Sequence, residues 1–84
     1  MSNVYFARHR ETQLVKIGFG QPPPDLQLEE TTPGTRNTEA RAHNLAENFH
    51  VRGDWYDLDR EQIADLARGY LIDREWFLAR WRTE

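Results

Sequence analysis

The sequence predicts a small α+β domain, a three-stranded antiparallel sheet packed with helices. Three observations carry this. Residues 3–8 and 13–19 are rich in β-branched and aromatic types and flank a polar turn of hairpin length, His9–Thr12. Beyond residue 35 the apolar spacing changes to i, i+3, i+4, i+7, the period of a helix with one buried stripe. The chain has 84 residues, 38% of them apolar, which is material for one core and not two.

The hairpin comes first. A turn closing symmetrically on His9–Thr12 sets Val4 opposite Ile17, Phe6 opposite Val15 and Tyr5 opposite Lys16. Alternation then gathers Val4, Phe6, Val15, Ile17 and Phe19 on one apolar face. Tyr5, Ala7, Leu14 and Lys16 take the other. Pro22, Pro23 and Pro24 donate no ladder hydrogen bond and disfavour a helix, so this stretch is an extended connector. Residues 25–32 alternate around Leu26 and Leu28, as in a third strand with one exposed face. Pro33-Gly34 marks a turn.

A helix is expected from Thr35 or Asn37 to His50, burying Ala42, Leu45, Ala46 and Phe49. Arg36, Glu39, His43, Glu47 and His50 form a second stripe beside them. Trp55, Tyr56 and Leu58 read as core. Asp59 reads as an N-cap with Gln62 at the capping-box position, ahead of Ile63, Leu66, Ala67 and Tyr70. Gly69 is expected to weaken or end that helix. Asp73 opens a further helix carrying Trp76, Phe77, Arg80 and Trp81, with Trp81 the expected exposed aromatic.

Composition narrows the function. With 11 basic and 14 acidic residues the net charge is −3, against a protein that holds nucleic acid by a strong overall basic field. The charge is uneven: residues 1–42 carry five basic and five acidic groups, residues 43–84 six and nine. An anion site is therefore expected in the first half. The absence of Cys excludes a disulfide framework, a Cys-based zinc site and a thiol nucleophile. No apolar run approaches the roughly 18 residues needed to span a bilayer, and no signal-peptide pattern follows Met1, so an intracellular domain with no membrane partner is expected.

Two pairs carry candidate chemistry. Glu39 and His43, four apart on a helix, project side by side; an oxygen and an imidazole nitrogen so placed can share a divalent ion, or simply form a solvated helix face. A phenol beside an ammonium, as in Tyr5 and Lys16, is suited to activating a water, or equally to packing as a cation–π pair. Arg8 and Arg10 near the hairpin end, and Arg36 at the helix start, are candidate phosphate contacts.

Taken in order, Val4-Tyr5-Phe6, then Leu14-Val15-Lys16-Ile17-Gly18, then Glu39-x-x-x-His43, then Arg52-Gly53-Asp54-Trp55-Tyr56 resemble the GIY-YIG nuclease superfamily. The likeness is to its bacterial and phage branch, whose second motif reads Lys-Ile-Gly. It covers about residues 3–58, leaving 59–84 as a C-terminal helical extension on the same core. The resemblance implies one-metal hydrolysis of nucleic-acid phosphodiesters. Tyr5 would help activate the attacking water, Lys16 would relay a proton or anchor phosphate, Glu39 would hold Mg²⁺ or Mn²⁺, and His43 would stand one turn further on.

One departure from the family matters. Its second motif is followed by a helix bearing an Arg that stabilises the phosphorane, and here Phe19–Pro24 is too short to form it. Losing such a cation commonly costs a factor of about 100 or more in rate. The deletion also uncovers part of a sheet face, which the aromatic C-terminal helix or a second subunit is expected to cover. Two functions follow: a minimal metal-dependent endonuclease, acting on DNA rather than RNA, or a catalytically inactive GIY-YIG-derived binding module. The module's partner would be DNA or a protein, as for a phage-encoded inhibitor or regulator. A purely structural or dimerising domain is the remaining alternative.

Overall fold

The computed structural model describes residues 2–68 and 74–81. The chain forms β1 (Asn3–Arg8), β2 (Val15–Phe19), β3 (Gln27–Pro33), α1 (Arg36–Leu45), a 3₁₀ turn (Glu47–Phe49), β4 (His50–Arg52), β5 (Trp55–Tyr56), α2 (Arg60–Ala67) and α3 (Arg74–Arg80). The α+β class and the antiparallel sheet are as expected. Among the described residues, however, the sheet has five strands and not three, in the order β3-β1-β2-β5-β4. The additional strands have three and two residues, too short to show an alternating pattern. They exist because β5 pairs with β2, Val15 against Tyr56 and Lys16 against Trp55, while the Ile17 N–H donates to the Asp54 carbonyl at 3.1 Å. Gly53, at φ 51°, supplies the left-handed residue that this tight turn needs.

The expected helix to His50 stops at Leu45. Ala46 closes it, and the 3₁₀ turn swings Phe49 edge-on against Phe77, with 6.3 Å between ring centroids. His50 then starts a strand. Burying Phe49 beside the core and pairing β4 with β5 thus displace the last helical turn. Helix starts follow the local rules: Thr35 caps α1, and Asp59 caps α2 with Gln62 completing the box.

All three helices contribute to one side of the sheet. Val4, Phe6, Val15 and Ile17 pack there with Ala42, Leu45 and Ala46 of α1, Ile63 and Leu66 of α2, and Phe77 of α3. The C-terminal segment thus shares its core with the sheet. Each fully buried large apolar side chain contributes roughly 1.5–3 kcal/mol. On the other side lies a smaller cluster of Tyr5, Ala7 and Leu26, with Trp55 packed against it. Among the described residues, α3 buries Phe77 on the helical side, and Leu26, just before β3, packs in the small cluster. The expected exposure of Trp81 is corrected as well. Its indole N–H donates to Asp65 at 2.7 Å, and among the described residues Trp76 is the exposed aromatic, at 43%.

The expected roles of Gly69, Tyr70 and Asp73 lie outside the described residues. Among those described, no helix is long and apolar enough to cross a membrane.

Candidate functional site

The hairpin closes two residues later than its symmetric reading. The His9 N–H donates to the Leu14 carbonyl and the Gln13 N–H to the His9 carbonyl. Gln13 adopts a positive φ of 65°. The His9 imidazole Nδ1 accepts from the Glu11 and Thr12 N–H groups, both at 3.2 Å. This side-chain acceptor organises a longer turn than a bare tetrapeptide closure. Tyr5 consequently faces Gly18, and Lys16 faces Ala7. A shift of two residues preserves side-chain parity, so Tyr5 and Lys16 still share a face, now as diagonal neighbours. The Tyr5 ring lies over the bare Cα of Gly18 and is only 4% exposed.

Glu39 and His43 come together as predicted, but on the helical side of the sheet. A Glu39 Oε lies 3.6 Å from His43 Nε2, and an Asp54 Oδ lies 3.9 Å from the same nitrogen. His43 Nδ1 is 2.6 Å from the Tyr56 hydroxyl. Burial first, then Asp54 and Glu47, raise the Tyr56 phenol above its ordinary value. The phenol therefore stays protonated, and it donates to Nδ1 in the tautomer that carries its proton on Nε2, towards the two carboxylates. His50 sets its ring edge-on to Tyr56, at 5.2 Å.

Tyr56 was expected in the core and is there, but its link to His43 and the approach of Asp54 carry no sequence signal. They arise from the long-range pairing of β5 with β2. Glu47 leaves the Glu39/His43 stripe to face Arg74 at 3.4 Å. Among the described residues, no group of three or more His, Cys, Asp or Glu side chains is arranged to hold a metal ion. The donor set does not enclose the divalent ion that the resemblance implies.

The three candidate arginines are in different surroundings. Arg8 makes a two-point contact with Glu29, Nε to carboxylate at 2.7 Å and a terminal nitrogen at 3.0 Å, and also donates to the Gln13 carbonyl. Its guanidinium is committed. Arg36 stacks over the Phe19 ring at 4.9 Å. Arg10 is exposed in the β1–β2 turn.

A further grouping appears on the open face. The cross-strand partners Leu28, Ala7, Lys16, Trp55 and Arg52 run in a single row across β3, β1, β2, β5 and β4. Directly opposed residues share a face, so Lys16 and Arg52 flank the half-buried Trp55. Among the described residues neither cation makes an ion pair. The acidic side chains of β3 are elsewhere: Glu29 binds Arg8, and Glu30 faces Phe6 on the helical side. Strand-borne charge on the open face is thus wholly positive in a chain of net charge −3. Arg52 and Trp55 join Lys16 only through strand pairing.

Comparison with known protein families, curated proteins and solved structures finds no match for this chain.

Proposed function

We propose that this chain is a GIY-YIG-derived domain that binds nucleic acid through its open sheet face and does not hydrolyse it. One observation supports this above the others. The sheet separates Tyr5 and Lys16 from Glu39 and His43. Phosphodiester hydrolysis requires the water-activating base and the metal-holding carboxylate to act on the same phosphate, within hydrogen-bond reach of the reacting atoms. Groups on opposite faces of a sheet do not meet that condition. Tyr5 is moreover packed with Leu26, so its phenol has little room for a water. On the strands of the open face, the cations that can meet phosphate are Lys16 and Arg52, beside an aromatic ring suited to stacking.

A cleavage assay tests this on supercoiled plasmid, single-stranded DNA and RNA, with Mg²⁺, Mn²⁺ or EDTA, alongside Glu39→Ala. The expected result is binding without turnover, indistinguishable between the two proteins. Metal-dependent nicking that disappears in Glu39→Ala would overturn the proposal. It would instead favour a second reading, a weak metal-dependent endonuclease. The adjacency of Glu39 to His43 on one turn of α1, with Tyr56 against the imidazole, favours that reading. There Glu39 would hold Mg²⁺ or Mn²⁺, without the Arg that the family's missing helix supplies.

A further inference from the structure

Resting on the reading that the open face binds nucleic acid, we propose that its ligand is a single strand. The strand would cross the sheet along the Lys16–Trp55–Arg52 row, with a base on Trp55 and phosphates at the two cations. The row is a direct product of register. Lys16 and Arg52 are each the immediate cross-strand partner of Trp55, so their backbones are separated by two strand spacings, about 10 Å. A cation, an aromatic ring and a second cation in line match the alternation of phosphate and base along an unpaired strand.

A duplex is the poorer ligand for the same surface. It hides its base faces, so Trp55 has nothing to stack on. It also presents one charge per ~1.7 Å of axis to a domain that offers two cations on this face and is acidic overall. On the helical side, Glu29 is held by Arg8 and Trp81 by Asp65. The neighbouring His9 ring lies edge-on to Trp55, with centroids 5.9 Å apart and planes at 79°, which fixes the indole's orientation before a base arrives.

Fluorescence anisotropy with a labelled ten-nucleotide deoxythymidine strand and a duplex of the same length tests this, each titrated at several salt concentrations. The single strand is expected to bind more tightly. Its log K against log salt should have a slope of about −1.4, for two phosphate contacts. Arg52→Gln and Lys16→Gln should each bring the slope to about −0.7. Trp55→Leu, which keeps an apolar side chain against Leu26, should weaken binding at least fivefold by removing the stacking surface. Because Arg52 is exposed, its variant tests the row even where Trp55→Leu fails to fold. Tighter binding of the duplex would overturn the single-strand assignment and leave the nucleic-acid reading standing. Unchanged affinity in folded Trp55→Leu, or an unchanged salt slope in Arg52→Gln, would overturn the row. Binding of neither ligand would overturn both proposals.

Discussion

Replacing Gly18 with Ala should destabilise the fold through a single contact. A Cβ at this position would lie 2.2 Å from Cζ of Tyr5, 2.3 Å from its hydroxyl oxygen and 2.7 Å from Cε2. Carbon atoms rest at about 3.5–4.0 Å, so the ring must retreat by more than an ångström. It has little room, because it packs in one cluster with Ala7, at 0% exposure, and Leu26 at 9%. Overpacking of this kind costs about 1–3 kcal/mol. Domains of this size are stable by only about 4–13 kcal/mol, so urea denaturation resolves the loss as a midpoint shift of about 1 M. Gly18 is not among the positive-φ residues, which removes backbone strain as a competing cause. The decisive comparison is the same substitution in a Tyr5→Leu background, where the three crowded atoms are gone. There Gly18→Ala should be neutral or stabilise by about 0.5 kcal/mol, since Gly weakens a strand. An equal cost in both backgrounds, with coupling below about 0.5 kcal/mol, would refute the stacked geometry.

Glu29→Gln should cost about 1–3 kcal/mol at neutral pH, because it leaves half of a charge-assisted contact with Arg8 in a region where the two side chains are 7% and 16% exposed. The Arg8 hydrogen bond holds the Glu29 carboxyl below its ordinary value. Its stabilisation is thus present above the ordinary glutamate range and is lost as pH falls through the lower folded value. Acid titration of stability should be shallower in Glu29→Gln than in the parent, and superimposable curves would contradict this. Asp59→Ala should remove about 1 kcal/mol by uncapping α2; a thermal melt showing no change would discount the cap. Tyr56→Phe should cost about 1 kcal/mol and shift the His43 Nδ1 resonance in a nitrogen-detected spectrum, an effect absent if the 2.6 Å contact is not formed in solution. With the phenol raised by burial, the Tyr56 contribution persists below the ordinary tyrosine range and fades as pH rises through the higher folded value. The Phe variant should lose that alkaline dependence.

Local chemistry made much of this molecule legible. The faces of β1 and β2 followed from alternation alone, and survived a two-residue error in register because parity has period two. Asp59 caps α2 through a side chain three residues from its target, so its position was readable, whereas spacing left the start of α1 open between Thr35 and Asn37 until the Thr35 cap settled it. The Glu39–His43 adjacency is a property of helical pitch. What alternation leaves open is how far two strands slide. That was decided by the His9 imidazole bonding within its own turn and by the fit of the Tyr5 ring over Gly18. The end of α1 was equally out of local reach, since a helix through Phe49 and His50 has acceptable spacing. Only the competing contacts of Phe49 with Phe77, and of β4 with β5, make it stop at Leu45. The short strands β4 and β5 have no pattern of their own and owe their existence to β2.

Both candidate sites therefore divide along the same line. Residues within a turn of one another, Glu39 and His43, were set by the sequence itself. Those that complete or rearrange the sites, Asp54 and Tyr56 on one side and Trp55 and Arg52 on the other, are brought in by a pairing across some forty residues. The cost of closing so long a loop is repaid only by the whole sheet and core together. No local segment encodes that pairing.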